Sequence, residues 1–116
     1  MSIVSKTYFA KGSVTIDGLN VTMNDVVIAT GATDDTIIKS LTIINNDSAD
    51  SVVYIKRRDA SDGVYQTIKL FLPAGALRVL WNDFHVLEEG HDLVLQSDSD
   101  DTEAVVSCYE GVSLTA

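Results

Sequence analysis

The chain of 116 residues holds one cysteine, one proline, one tryptophan and only eight basic side chains against seventeen acidic ones. Each scarcity excludes something. A lone Cys108 cannot form an internal disulfide, and no His or basic group lies near it in sequence to activate a thiolate. Its run, AVVSCYE, alternates in strand fashion and sets Cys108 in phase with Ala104 and Val106, which reads as a small buried apolar side chain. A formal net charge of −9 speaks against nucleic acid, whose phosphates are held by clustered Lys and Arg, and equally against an anionic membrane surface. Such a charge serves solubility, or draws a basic partner. No apolar run reaches the roughly 18 to 20 residues that span a bilayer. The opening MSIVSKTYFAKG also lacks the apolar core of a signal peptide, so synthesis in a cytoplasm without export is expected.

What is present is alternation. At this length one domain with a single two-layer core is expected, and a composition 46% hydrophobic and 22% charged is that of a globular chain. In TIIKSLTIIN, period two places Ile37, Leu41 and Ile43 on one face and Ile38, Ser40, Thr42 and Ile44 on the other, as in a central strand. SVVYIKRR turns Val53 and Ile55 inward, QTIKLFL turns Ile68, Leu70 and Leu72 inward, and ALRVLW sets Leu77, Val79 and Trp81 opposite Arg78 and Leu80. DLVLQS and EAVVSCYE continue the pattern. Between these runs lie TGATDD, NNDSAD, DASDG, LPAG, EEGHD and SDSDD, rich in residues that supply positive φ or local side-chain hydrogen bonds. Short strands joined by such turns predict an all-β fold, a single antiparallel β-sandwich.

The front of the chain is organised differently. In SVTIDGLNVTMNDVVIAT, the Asp17-Gly18 pair between short alternating runs predicts a tight hairpin over Val14 to Thr22, with Asp-Gly at the two central positions of a type I′ turn. Residues 1–12 carry Ile3, Val4, Tyr8 and Phe9 with no compact partner nearby. They form either an extended arm that packs on another subunit or an edge strand of the same domain, leaving 13–116 as the sandwich.

Groups with chemical potential resolve into turns and strand ends. His85 and His91 flank VLEEG near Glu88, Glu89 and Asp92, but metal ligands must converge at about 2 Å from well-fixed elements, whereas Glu88 to Asp92 reads as a solvated hairpin loop. The run SDSDDTE, Ser97 to Glu103, lacks the central glycine and the spaced bidentate Glu of a calcium loop and reads as a charged hairpin tip. Lys56, Arg57 and Arg58 form the only basic cluster, a strand end neutralised by Asp59 and Asp62 or a contact for an acidic partner. No phosphate loop, nucleophile elbow or paired-carboxylate arrangement is recognisable. Neither a catalytic residue, a metal nor a cofactor is assigned.

The stretch LFLPAGALRVLWNDFHVLEEGHDLVL concentrates the rare residues. Pro73 and Gly75 end one strand and start the next. Trp81 shares its phase with core residues, and Asn82 to Phe84 breaks the alternation at a corner. Trp81 and Phe84 either bury themselves there or present aromatic anchors to a partner.

The order TIIKSLTIINNDSADSVVYIKRR, then LFLPAGALRVLWNDFHVLEEGHDLVLQSDS and AVVSCYEG, resembles a recurring pattern in small virion proteins of tailed bacteriophages. There a strand ending in Asn-rich turn residues precedes an apolar strand, a Pro-Ala-Gly turn, a short strand, a Val-Leu-Glu-Glu-Gly turn leading to a Gln-Ser-Asp end, and a last alternating strand. The resemblance covers Thr36 to Gly111; His91 stands where the pattern lets Asp follow Gly, lengthening that turn by one residue. It implies a jelly-roll-like sandwich used as a repeated building block of a particle. Within that class it implies a capsid decoration or cement protein on the outer capsid surface, with the major capsid protein and itself, as homodimer or homotrimer, for partners. A tail, neck or fibre-associated component is the alternative within the class. A carbohydrate-binding module, using Tyr54, Phe71 and Tyr109 as a shared platform, is the alternative outside it.

Overall fold

The computed structural model describes residues 4–31, 35–61, 63–82 and 85–112, so Ile3, Asp62 and Phe84 lie outside the described residues. The strands are β1 (Val4–Lys11), β2 (Ser13–Asp17), β3 (Asn20–Asn24), β4 (Val26–Thr30), β5 (Asp35–Asn45), β6 (Ser51–Arg58), β7 (Val64–Leu72), β8 (Leu77–Trp81), β9 (His85–Leu87), β10 (Asp92–Ser97) and β11 (Thr102–Val112). One sheet runs β1-β11-β5-β8, with β9 also on β5, and the other runs β4-β10-β6-β7. All pairings are antiparallel. The fold is the expected all-β sandwich.

Its winding follows from the pairs. With β8 and β9 taken as one interrupted strand along β5, the first strand pairs the last (β1 with β11), the second the next to last (β4 with β10), the third the sixth (β5 with β8 and β9), and the fourth the fifth (β6 with β7). Nested pairing of this kind, folded over into two sheets, is the jelly-roll scheme. It changes the meaning of most turns. LPAG, NNDSAD, EEGHD and SDSDD each carry the chain from one sheet to the other, so the stretches expected to be hairpin loops at Glu88 to Asp92 and Ser97 to Glu103 are corners instead. Among the described residues, only β6 to β7 and β2 to β3 are true hairpins. β8 ends opposite Leu41 and β9 begins opposite Ile38 on the same strand, so both lie along one edge of the same sheet.

The inner faces build one core. Ile38, Leu41 and Ile43 of β5 and Ala104, Val106 and Cys108 of β11 are fully buried, against Val53 and Ile55 of β6, Leu70 and Leu72 of β7, and Leu93 and Leu95 of β10. For β6, β7 and β11 these are the residues that period two selects. β5 departs from it. Ser40 opposes Ser107 and Ile38 opposes Cys108, so Lys39 is an extra residue, and this β-bulge turns Ile38 inward where simple alternation expected Ile37. A second bulge makes Leu80 extra between Val79, opposite Thr42, and Trp81, opposite Leu41. Leu77 and Val79, expected inside, therefore face solvent, while Trp81 stays in the core.

Two glycines answer to geometry. The β2–β3 hairpin closes through Gly18 and Leu19, one residue later than expected, with Gly18 at φ 61° in the left-handed region that glycine enters without steric cost. At Gly31 the chain passes so close to the β9–β10 corner that a Cβ would lie 1.9 Å from the Glu88 carbonyl oxygen. The Gly31 N–H donates to the His91 carbonyl at 2.8 Å, so the corner is tied to the end of β4.

The bulge in β5 has a direct test. Ile38→Ala removes a fully buried side chain and should cost about 2–4 kcal/mol in urea unfolding, whereas Ile37→Ala, half-buried on the outer face, should cost about 1 kcal/mol or less. The reverse order would put the register back to uninterrupted alternation.

Candidate interaction surface

In an antiparallel sheet, residues directly opposite one another point to the same face, with Cβ atoms about 5 Å apart. Phe9 opposes Val105, Val105 opposes Thr42, and Thr42 opposes Val79, giving one row across β1, β11, β5 and β8. The neighbouring row holds Lys11, Glu103, Ile44 and Leu77. Both rows face away from the core. Phe9 is 76% exposed, Leu77 61% and Val79 53%, with Val105 and Ile44 half-buried between them. The outer face of this sheet thus carries an apolar patch where an antiparallel sheet facing water ordinarily alternates to polar. Lys39 flanks it with Nζ 4.4 Å from the Tyr109 ring.

The β2–β3 hairpin forms a second surface. Among the described residues it pairs with no other strand, and its register sets Val14 against Met23 and Ile16 against Val21 on one face. Ile16 is 72% exposed, Val21 57% and Leu19 at the tip fully. The other face is polar, with the Asn24 amide donating to the Thr15 hydroxyl at 2.8 Å and the Ser13 hydroxyl at 3.2 Å. Beside the apolar face runs an open groove of about 210 Å³, walled by Val14, Ile16 and Val21 and by Asp47, Asp98, Ser99 and Asp100. These carboxylates hold the corner together: Asp98 Oδ1 accepts from the Ser51 hydroxyl at 2.6 Å and the Val52 N–H at 3.0 Å. Asp47 accepts from the Ser99 hydroxyl at 2.7 Å and the Ala49 N–H at 3.2 Å, and these bonds hold its carboxyl below the ordinary range.

On the outer face of the four-stranded sheet, Lys69 Nζ lies 5.1 Å from the ring of Phe71 and 5.9 Å from that of Tyr54. Phe71 is 67% exposed. Tyr109 belongs to β11 in the opposite sheet, so the three aromatics proposed as one platform occupy two separate surfaces.

The other expected residues separate by burial. Val4 and Phe9 are exposed on the edge strand β1, whereas Tyr8 turns inward onto the core. Trp81 is buried and stacked on His85 with ring centroids 4.2 Å apart, so it is a core side chain and not an exposed anchor. His91 sits instead beside Glu88, at 3.4 Å, and the Tyr65 hydroxyl, at 3.3 Å. Among the described residues no group of three or more His, Cys, Asp or Glu is placed to hold a metal ion. In the basic cluster Arg58 pairs with Asp92 at 2.9 Å and Asp25 at 3.7 Å, while the expected partner Asp62 lies outside the described residues. Asp59 accepts from the Ser61 and Gly63 N–H groups of its own loop, and Arg57 donates to the Val86 carbonyl. Burial pushes the Cys108 thiol up, the opposite of what a nucleophile needs.

One polar cluster fixes β1 to β11. Glu110, buried on the inner face, meets Lys6 Nζ at 3.0 Å and accepts a hydrogen bond from the Tyr8 hydroxyl. Burial pushes the Glu110 carboxyl up, but the bonds from Tyr8 and Lys6 outweigh it and the net shift is downward. The bond to Glu110, then burial, push the Tyr8 phenol up to about 12. The first strand is thus tied into its own sheet by side chains as well as by the backbone ladder. Compared with protein families, with curated proteins and with solved structures, the chain matches none.

The Tyr8 shift fixes a sign. A phenol that titrates near 12 when folded and near 10 when unfolded contributes stability that is fully present below pH 10 and is lost as pH rises towards 12. Tyr8→Phe should cost about 1–2 kcal/mol at pH 7, and the gap from the parent protein in urea unfolding should narrow above pH 10. A variant as stable as the parent at pH 7 would show that the bond contributes nothing.

Proposed function

We propose that this protein is a structural subunit of a bacteriophage particle, and within that class a decoration protein of the outer shell that binds major capsid subunits. The observation that carries the reading is a completed jelly roll that still exposes three apolar surfaces: Phe9, Leu77 and Val79 on one sheet, Phe71 on the other, and Ile16, Leu19 and Val21 on the hairpin. A monomer in water gains nothing from such patches, and on soluble proteins they mark sites of association. The motif resemblance of Thr36 to Gly111 to small virion proteins supplies the class of particle.

The mechanism is thermodynamic. A subunit that binds the assembled lattice and not its free parts stabilises the lattice by mass action. Contacts that are weak singly become strong when many copies engage one shell. The exposed Phe71, with Lys69 and Tyr54 beside it, offers an apolar anchor with a cationic rim for the shell. The outer edge of β1, which pairs with no second strand among the described residues and carries exposed Val4, offers strand addition.

Copy number separates the two virion readings. Quantitative mass spectrometry of purified particles from the source should find this protein in a fixed stoichiometric ratio to the major capsid protein. A copy number far below that of the shell subunit would place it in the tail or neck, and its absence from particles would end the virion reading.

A further inference from the structure

Two of the three apolar surfaces are complementary to each other. The hairpin offers Ile16, Leu19 and Val21 on a segment without a basic residue: from Gly12 to Ile38 there is no Lys or Arg, while Asp17 stands at the hairpin turn and Asp98 and Asp100 stand across the groove. The outer face of the five-stranded sheet offers Phe9, Leu77 and Val79, and two of the chain's eight basic residues adjoin it. Lys11 lies in its second row, opposite Glu103 and 3.9 Å from Asp101, and Lys39 stands over Tyr109. An acid-flanked apolar ridge and a base-flanked apolar face match in both polarity and charge sign.

The dimensions agree as well. Four strands span about 14 Å at the usual strand spacing, and a two-stranded ridge with its side chains needs about 10 Å. Both surfaces are open to solvent on the same chain, so neither covers the other within one molecule. We propose that copies of this chain join head to tail, the β2–β3 hairpin of one seating Ile16, Leu19 and Val21 on the Phe9, Leu77 and Val79 face of the next. A contact between two different surfaces is heterologous, and a closed ring buries both in every copy. The inference shares the assembly reading above, but its test uses the isolated protein, so failure here and absence from particles are separate results.

The test is a complementation of two surface variants, read by native mass spectrometry and light scattering of the full chain. Leu19→Asp disables the ridge and Val79→Asp disables the face; both side chains are exposed, so circular dichroism and thermal melting should match the parent. The parent should form a discrete oligomer. Each variant alone should run as a monomer, its association weakened about tenfold or more. Mixed together, the two should give a heterodimer of one copy each, because the intact hairpin of one still meets the intact face of the other. A monomeric parent, a parent-sized oligomer in either variant alone, or a mixture that stays monomeric would each overturn the proposal.

Discussion

Everything in this fold hangs on the pairing of β5 with β11. Among the described residues, each of β1, β8 and β9 has one of these two strands as its only neighbour in the sheet, so without the central pair the sheet has no continuity. Their inward side chains, Ile38, Leu41 and Ile43 against Ala104, Val106 and Cys108, form the fully buried floor of the core. The pair is also distant in sequence, as far apart as β4 with β10 and exceeded by β1 with β11. A chain whose central strand arrives last must close its longest loops before that sheet exists, and such topologies fold slowly.

The crossings between sheets impose a second demand, because each corner buries backbone that no ladder satisfies. Asn45 meets it at one end: fully buried, its amide donates to the carbonyls of Ala49 and Leu72 at 3.0 Å and of Pro73 at 3.2 Å. Ser51, Ser97 and Thr102 link β6, β10 and β11 in a buried hydroxyl cluster beside it. The Asn, Asp and Ser residues of the turns are therefore structural members of the corners. This accounts for much of the acidic character of the loops without any ligand.

Alternation made β6, β7 and β11 legible in the sequence over the stretches that face the core, Val53 and Ile55, Leu70 and Leu72, and Ala104, Val106 and Cys108. It failed where a bulge inserts one residue, at Lys39 and at Leu80, since nothing in TIIKSLTIIN or ALRVLW marks the point at which the phase reverses. The apolar outer face was missed for that reason: Leu77 and Val79 carry the alternation of core residues and end up on the surface. Corners and hairpins were not distinguishable, because both use the same Gly, Asp and Ser chemistry and differ only in which sheet receives the next strand. Among the expected anchors, Phe9 is exposed as an anchor must be, whereas Trp81 and Tyr8 turn inward, and Ile3 and Phe84 lie outside the described residues. The hairpin was legible as a hairpin. Its isolation from both sheets was not, since that depends on β1 and β4 going to different sheets.

A jelly roll with its inner faces closed spends its hydrophobic surface inside, and what remains apolar outside needs a reason. Here that surface lies in rows set by strand register and on a hairpin that, among the described residues, no other strand pairs. The central claim is that these side chains are covered when the protein is in its working assembly. The most direct measurement is hydroxyl-radical footprinting of the free protein against the protein in purified particles. The account predicts heavy labelling of Phe71 in the free protein, and of Phe9 and Leu77 in the monomeric Leu19→Asp variant, with strong protection of all three in the particle; equal labelling in the free and particle-bound states would contradict it.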